Sequence, residues 1–179
     1  VRVAHVEAGL RSFDRTMPEE INRMVTDTLS DFLFTTEKSG RDNLLKEGKK
    51  DHQIFFTGNV MVDSLVFAKS HMAPSSVLER FNASPQAYAL VTLHRPSNVD
   101  RADALEKIIG ILETLQKQIK IIFPIHPRSV KMMESFGYGP RIQAMKSLTM
   151  TEPLGYLEFL SLMQEAKFVM TDSGGLQEE

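Results

Sequence analysis

Short apolar runs alternate with amphipathic segments along the chain. The runs suit strands buried on both faces, as in a parallel sheet, and they cover residues 1–6, 31–35, 53–56, 88–93, 120–125 and 168–171. Helical spacing of apolar residues begins after Pro18 and recurs over 105–115 and 156–163. This alternation predicts an α/β fold of βαβ units, with a mostly parallel sheet and helices on both of its faces.

Two features of the pattern bear on domain organisation. Residues 71–85 are rich in Pro, Ser and Asn and predict a linker, although 77–81 can form a short helix inside it. The chain opens within a strand and stops in the first turn of a helix that begins near Ser173. Natural domains more often end in polar, expendable residues, so we expect a segment of a longer protein.

Composition narrows the class of protein. With 179 residues, 42% of them apolar and 25% charged, the chain can bury a core and has a globular profile. Its 21 basic and 23 acidic residues give a net charge of −2, which argues against a nucleic-acid partner but leaves a local anion site open. No apolar run reaches the roughly 18–20 residues that span a bilayer, so we expect a cytoplasmic protein with no membrane partner.

Metal and thiol chemistry have little support. The chain has no cysteine, which excludes disulfides, thiolate ligands and thiol nucleophiles. Its five histidines are scattered, and no His-Glu-x-x-His pattern occurs. The Walker pattern and the spaced-glycine dinucleotide pattern are also absent, so ordinary ATPases and dehydrogenases lose support, and no cofactor or metal is expected.

Polar residues follow several predicted strands, at the edge where open α/β sheets bind their ligands. Glu7 comes after the first strand, and Glu19 lies at the start of the next predicted helix. Two carboxylates in one cleft can divide the roles of general acid and general base. The alternative is a salt-bridged loop in which neighbouring arginines pair with these acids, namely Arg11, Arg15 and Arg23.

Two further strand ends carry histidine and arginine. His94 and Arg95 end a strongly apolar strand, where they can hold a phosphate and where His94 can also move protons. His126 and Arg128 flank a proline after the next strand. Here a rigid turn with a surface arginine is the favoured interpretation.

The segment 172–175 is the most specific of these signals. It follows a strand and opens a helix, so its N–H groups and the helix dipole would face an anion. The adjacent Gly174 and Gly175 permit close approach of a phosphate to the backbone. Acidic residues follow, ending with Glu179, and they can accept hydrogen bonds from ribose hydroxyls or simply stabilise the first turn.

Together these segments resemble the UDP-N-acetylglucosamine 2-epimerase family, chiefly its non-hydrolysing bacterial and archaeal members. The motifs that carry the resemblance occur in the family's order at 5–11, 18–23, 57–59 with Asp63, 94–95 and 172–179. The family implies the B-type glycosyltransferase (GT-B) fold, in which a nucleotide sugar lies between two Rossmann-like halves. Residues 1–72 would be the rear of the N-terminal half, and 73–179 the front of the C-terminal, UDP-binding half. A homodimer is the family expectation.

The resemblance also implies a reaction, the interconversion of UDP-N-acetylglucosamine and UDP-N-acetylmannosamine. UDP would be eliminated anti across C1–C2 and add back with inversion at C2. By motif, Glu7, Glu19 and His94 would be catalytic, with His94 against the diphosphate. A further catalytic aspartate of the family has no counterpart in this segment, so we expect the segment alone to be inactive.

By the same resemblance, a second set of residues would bind the substrate: Arg95, Leu154, Phe159, Ser173, Gly174, Gly175 and Glu179. Ser173 and the two glycines would hold the diphosphate. Glu179 would bind the ribose, and Phe159 with the backbone near Leu154 would bind the uracil.

Three other functions stay open. A hydrolysing epimerase would share the elimination but release UDP and free N-acetylmannosamine. A B-type glycosyltransferase would not need Glu7 and Glu19 together in its cleft. A nucleotide-sugar-binding module would bind without turnover. The family also suggests a link to cell-envelope polysaccharides, but the sequence does not give the pathway.

Overall fold

The computed structural model describes residues 1–178. Contacts divide the chain into unit 1, Val1–Val66, and unit 2, which begins at Phe67. Unit 1 contains β1 (Ala4–Val6), α1 (Pro18–Leu29), β2 (Phe32–Thr35), α2 (Lys38–Lys46), a 3-10 turn (Asp51–Gln53), β3 (Ile54–Phe56) and the start of α3 (Val60–Lys69). Unit 2 contains the end of α3, α4 (Pro74–Arg80), β4 (Tyr88–Thr92), α5 (Pro96–Val99), α6 (Ala102–Leu115), β5 (Lys120–Pro124), α7 (Pro127–Ser135), α8 (Gly139–Gln143), β6 (Leu148–Thr151), α9 (Tyr156–Glu165), β7 (Phe168–Thr171) and α10 (Gly174–Glu178).

Unit 1 is built on a parallel sheet with strand order β1-β2-β3. Its small core is formed by Ala8, Leu33, Leu44 and Ile54. The loop after β1 lies directly against α2, because a Cβ added to Gly9 would stand 2.2 Å from the carbonyl oxygen of Gly40. Gly9 also has a φ of +79°, in the left-handed region that favours glycine. This close approach fixes the path of the segment that carries Glu7.

Unit 2 is built on a parallel sheet with strand order β6-β5-β4-β7. The chain proceeds from β4 outward to β6 and then returns to pair β7 with the other side of β4. The direction of strand addition therefore reverses between β4 and β7. In open α/β sheets, such a switch point is where ligands bind outside the carboxyl ends of the strands.

Both faces of the unit 2 sheet are buried. Along β4, Leu90 belongs to a cluster that includes Val77 and Leu162 from the helices α4 and α9. The next residue, Val91, belongs to the opposite cluster, which includes residues of α6 and α7 such as Leu105. Since successive strand residues point to opposite faces, burial on both sides explains the continuous apolar runs. The predicted α/β class with parallel strands and flanking helices is confirmed.

Several local predictions need correction. The strand β6 was not predicted, because Leu148–Thr151 alternates apolar residues with threonine at the edge of the sheet and offers no continuous apolar run. Within the predicted linker 71–85, the short helix allowed at 77–81 forms as α4 and begins three residues earlier. It buries Val77 and Leu78, and Phe81 directly after it is also buried in the core. Among helices within residues 1–178, none combines the length and apolar character needed to cross a bilayer.

The helix α1 forms where the apolar spacing predicts it. The residues that it buries, however, are not the apolar ones. Ile21, Val25 and Leu29 are exposed, whereas Glu20 and Asp27 are buried. These two carboxylates lie seven positions apart and hence on one face of the helix. The buried face of α1 is therefore an acidic one, whose partners are described below.

Candidate functional site

The carboxyl edge of the unit 2 sheet gathers most of the predicted substrate residues. All its strands are parallel, so the loops that follow them leave from the same edge. His94 follows β4, His126 follows β5, Leu154 follows β6 and Ser173 follows β7. The loops after β4 and β7 are neighbours at the switch point.

Asp172 joins these two neighbouring loops. Its carboxylate, only 8% exposed, accepts hydrogen bonds from the main-chain N–H of His94 at 3.1 Å and of Arg95 at 2.9 Å. It also accepts one from Nδ2 of Asn98 at 2.9 Å. Burial alone would raise the pKa of Asp172, but the hydrogen bonds from Asn98, Arg95 and His94 outweigh it and lower the pKa. Asp172 is therefore ionised at neutral pH.

Asp172 also contacts the side chains of His94 and Arg95. Nδ1 of His94 lies 2.9 Å from Oδ1 of Asp172. Nε of Arg95 donates to the main-chain oxygen of Asp172 at 2.7 Å. Both side chains are exposed. They can therefore contact a ligand while Asp172 holds their main chain in place. The sequence motif contained Asp172, but no role was predicted for it.

The segment Ser173–Gly175 begins α10 as predicted. The N–H of Ser173 donates to Oγ1 of Thr171 at 2.9 Å, and Oγ of Ser173 accepts from the N–H of Leu176 at 3.4 Å. The first N–H groups of any α-helix have no intrahelical acceptor. A Cβ placed on Gly174 or Gly175 would meet no atom of the described chain within 4 Å. Neither glycine is needed for packing, and the space in front of both is open.

His126 and Arg128 form a turn after β5 and share a cavity with His94. Nδ1 of His126 accepts from the N–H of Arg128 at 3.2 Å, which is the predicted rigid turn. A cavity of about 270 Å³ is nevertheless lined by both histidines together with Asp100, Arg128 and Ser129. The adjacency of β4 and β5 in the sheet, which the sequence order of the strands suggests, could have revealed this.

Of the predicted uracil-binding residues, Leu154 lies in the loop after β6 and Phe159 in the helix α9. Leu154 and Phe159 are partly buried and pack against the cluster that contains Tyr88 and Leu162. Phe159 lies in α9, where its N–H donates to Gly155 at 2.9 Å. The predicted ribose-binding Glu179 lies outside the described residues.

In unit 1, the predicted catalytic carboxylates differ in their surroundings. Glu7 has a φ of 65°, uncommon for a residue other than glycine, and its main-chain oxygen accepts from Nη1 of Arg23 at 2.6 Å. Glu19 lies exposed in the first turn of α1. Within residues 1–178, neither carboxylate forms an ion pair. The interpretation in which arginines pair with these two acids therefore fails.

Arg11 pairs instead with Asp27, which the sequence analysis missed. Nη2 of Arg11 lies 2.7 Å from Asp27 and 2.6 Å from Glu47. The side chains of Arg11 and Asp27 are each only 1% exposed. Asp27 also lies 2.5 Å from Nδ1 of His5 and accepts from the N–H of Gly9 at 3.1 Å. Asp27 thus contacts the chain on both sides of Glu7, at His5 and at Gly9.

Glu20, the neighbour of Glu19, has a structural role. It accepts hydrogen bonds from the N–H and Oγ of Ser12 and from the N–H of Phe13. The bond from the N–H of Ser12 is the main reason that the pKa of Glu20 is lowered. Glu19 and Glu20 are adjacent in the sequence but differ in the structure. Glu20 is buried and holds the loop, whereas Glu19 is exposed.

Within the described part of the chain, no group of three or more His, Asp or Glu side chains could hold a metal ion. The groups gathered around Asp172 are a carboxylate, an imidazole, a guanidinium and backbone N–H groups. An imidazole and a guanidinium beside a helix start suit a phosphate or diphosphate.

Comparisons with known proteins agree with this chemistry. The family model described as "UDP-N-acetylglucosamine 2-epimerase" matches residues 1–179. A UDP-N-acetylglucosamine 2-epimerase of Methanocaldococcus jannaschii is 46% identical over 184 residues. A UDP-2,3-diacetamido-2,3-dideoxy-D-glucuronate 2-epimerase of Pseudomonas aeruginosa is 40% identical over 183 residues. Each alignment covers 100% of this chain, and about half of the relative, 50% and 49%.

A solved structure shows the same similarity. It is the M. jannaschii UDP-GlcNAc 2-epimerase in complex with UDP-GlcNAc and UDP, 44% identical, with a TM-score of 0.82. The match covers 99% of this chain and 50% of that one. The chain thus spans about half the length of the relatives it matches.

Proposed function

The chain belongs to the UDP-N-acetylglucosamine 2-epimerase family, and we propose that the protein interconverts UDP-N-acetylglucosamine and UDP-N-acetylmannosamine. A base removes the proton from C2 while the C1–O bond to UDP breaks, which leaves a C1–C2 double bond in the sugar. UDP then adds back to C1, and an acid protonates C2 on the opposite face. The C2 hydrogen is only weakly acidic, so the site must combine a positioned base with stabilisation of the departing UDP.

The observation that carries the proposal is the junction of the loops after β4 and β7. Asp172 fixes His94 and Arg95 directly beside the start of α10. A departing diphosphate needs positive charge and hydrogen-bond donors that are already in place. Arg95 supplies the positive charge, and the N–H groups at Gly174 and Gly175 supply hydrogen-bond donors beside the imidazole of His94.

The remaining roles follow the family motifs. Glu7 and Glu19 are the acid and base, and the lack of an ion pair on either carboxylate within residues 1–178 leaves both available for proton transfer. Leu154 and Phe159 bind the uracil, Ser173 the diphosphate, and Glu179 the ribose. In this proposal, residues 1–72 carry the acid–base pair and 73–179 form the UDP-binding half.

Two alternatives share the elimination step. A hydrolysing enzyme would release UDP instead of returning it to C1. The 40% identity to the P. aeruginosa enzyme favours, as a second candidate, a sugar with acetamido groups at C2 and C3 and a carboxylate. Both candidates use the same UDP-binding loops, so they differ in product or in sugar specificity rather than in leaving-group chemistry.

The test uses the product of the complete reading frame that contains this sequence. With UDP-N-acetylglucosamine in deuterated water, the proposal predicts deuterium at C2 and an equilibrium with the manno sugar. Free UDP that accumulates one-for-one with N-acetylmannosamine would identify the hydrolysing branch, and a higher kcat/KM for the diacetamido uronate would identify the other substrate. Binding of UDP without deuterium exchange would contradict the epimerase proposal.

Matched variants test the residue roles. Glu19→Gln should lower turnover at least tenfold with little effect on UDP binding, since it removes one acid–base group. Glu134→Gln, an exposed carboxylate in α7, should leave turnover unchanged. Glu179→Ala should mainly weaken nucleotide binding. Equal turnover for Glu19→Gln and Glu134→Gln would contradict the assigned role of Glu19.

A further inference from the structure

The main chain at Glu7 is strained. Its φ of 65° lies in the left-handed region, which a residue other than glycine adopts only at a cost in free energy. A residue in such a conformation persists where its surroundings hold it there, and residues of this kind cluster at functional sites. Glu7 directly follows β1, at the edge where the strands of unit 1 end. The contacts that hold its main chain therefore bear on what its carboxylate can do.

Other elements hold the two residues that follow this strained position. The N–H of Ala8 donates to the main-chain oxygen of Phe34 in β2 at 2.9 Å. The N–H of Gly9 donates to the carboxylate of Asp27 in α1 at 3.1 Å, and the oxygen of Gly9 accepts from Nδ2 of Asn43 in α2 at 3.0 Å. The path of the chain after position 7 is thus fixed from three sides, by β2, α1 and α2.

Arg23 holds the main-chain oxygen of Glu7 itself. Nη1 of Arg23 donates to this oxygen at 2.6 Å, and a charged donor makes a stronger hydrogen bond than a neutral one. The C=O of Glu7 and the N–H of Ala8 belong to the same planar peptide group. Arg23 binds the oxygen of this group, and the main-chain oxygen of Phe34 binds its N–H. The two contacts together fix the orientation of the peptide plane.

We propose that Arg23 is a positioning residue, which holds Glu7 in its left-handed conformation and so fixes the carboxylate for proton transfer. This inference rests on the proposed function for the role of Glu7 as acid or base. Because Arg23 binds the main chain, it leaves the carboxylate of Glu7 without an ion pair within residues 1–178. An acid or base must lie within hydrogen-bond reach of the proton that it transfers. A peptide group that rotates at position 7 would therefore slow proton transfer rather than weaken UDP binding.

The test compares Arg23→Met with Arg41→Met in the complete reading-frame product. Arg23→Met removes the donor to Glu7, whereas the control removes an arginine of α2 that pairs with the exposed Asp51. For Arg23→Met, we expect kcat to fall at least tenfold, with KM changed less than about threefold. Exchange of the Ala8 amide hydrogen should become faster, because the peptide group that carries it loses one of its two partners. Arg41→Met should change neither kcat nor this exchange.

Two further variants separate positioning from a general loss of structure. Arg23→Lys keeps the charge and a donor on a shorter side chain, so its kcat should lie between that of Arg23→Met and that of the unmodified protein. If Arg23→Met does not fold, Arg23→Gln takes its place, with a side chain that is polar but shorter. The same fall in kcat and the same faster exchange at Ala8 are expected for Arg23→Gln.

Three results would overturn the inference. They are equal kcat for Arg23→Met and Arg41→Met, a rise in KM in place of the fall in kcat, and exchange at Ala8 that does not respond to the loss of Arg23. A protein whose Ala8 exchange responds as expected but which converts no nucleotide sugar would instead refute the proposed function. The hold of Arg23 on the main chain of Glu7 would then stand without a role in epimerisation.

Discussion

Removal of Asp27 tests whether the buried acidic face of α1 holds the loop that carries Glu7. The substitution Asp27→Ala removes the partner of Arg11, a cation whose side chain is only 1% exposed. It also removes the acceptor for the N–H of Gly9 and the contact with Nδ1 of His5. Among the contacts described above, those of Asp27 reach the chain on both sides of Glu7, at His5 and at Gly9. No other single substitution in unit 1 removes such contacts on both sides.

The expected cost follows from burial. Removing one partner of a buried ion pair costs about 3–5 kcal/mol. Arg11 keeps Glu47, whose side chain is 38% exposed, so we take the lower end, about 3 kcal/mol. The unpaired N–H of Gly9 adds about 1 kcal/mol. The total of about 4 kcal/mol corresponds to a change of roughly a thousandfold in the folding equilibrium.

Denaturant unfolding followed by far-UV circular dichroism measures the loss, since the chain has no tryptophan. Exchange of the Gly9 amide hydrogen reports the same region locally. The control Asp51→Ala removes an ion pair of similar length, 2.6 Å to Arg41 against 2.7 Å for Arg11 and Asp27, but Asp51 is 71% exposed. It should cost less than about 1 kcal/mol. Arg11→Met should restore part of the stability of Asp27→Ala, because it removes the unpaired cation. Equal costs for Asp27→Ala and Asp51→Ala would refute the reasoning.

Three further predictions concern glycines and pH. Gly175→Ala should weaken UDP binding about tenfold, measured by calorimetry, because the added methyl enters the open space where a phosphate would approach. The unfolding midpoint of this variant should not fall. The control Gly110→Ala, also in open space, should leave UDP binding unchanged. Above pH 4.5, the ordinary pKa of Glu20, the substitution Glu20→Gln should lower the free energy of unfolding. The loss should shrink as the pH falls, because the lowered pKa of Glu20 stabilises the folded state only while the group is ionised. A loss that does not depend on pH would contradict this. Gly9→Ala should cost about 3 kcal/mol in the unfolding free energy, because its Cβ would overlap the Gly40 carbonyl at a positive φ; a cost below about 1 kcal/mol would argue against this packing.

The sequence predicts the fold class, and it predicts that the polar loops after the strands share one edge of a sheet, for an identifiable reason. Strands buried on both faces are continuous apolar runs, and the polar residues that follow them must lie at one edge of a parallel sheet. The sequence alone therefore places His94 and Ser173 at the same edge, whereas their nearness follows from the pairing of β4 with β7. The strand β6 could not be predicted, because an edge strand with alternating threonines lacks that signal.

The residues that hold the site together were harder to predict. Asp27 looks like an ordinary polar position in a helix, and Asp172 lies in the predicted anion-binding segment, where no role was predicted for its carboxylate. Their partners lie far away in the sequence, 18 residues for Asp27 with Gly9 and 78 for Asp172 with His94. No local pattern distinguishes a carboxylate that will be buried against main-chain N–H groups from one that will be solvated. Such residues become visible only once the strands are paired.

The central claim is that the edge of unit 2 where β4 and β7 end binds a uridine diphosphate. Titration of UDP into the 15N-labelled reading-frame product, followed through backbone amide resonances, tests it directly. The account predicts saturable shifts at Arg95, Gly174 and Gly175 with a single dissociation constant, while Gly110 in α6 stays unchanged. Saturable binding of UDP that leaves the amides of Gly174 and Gly175 unshifted would contradict it.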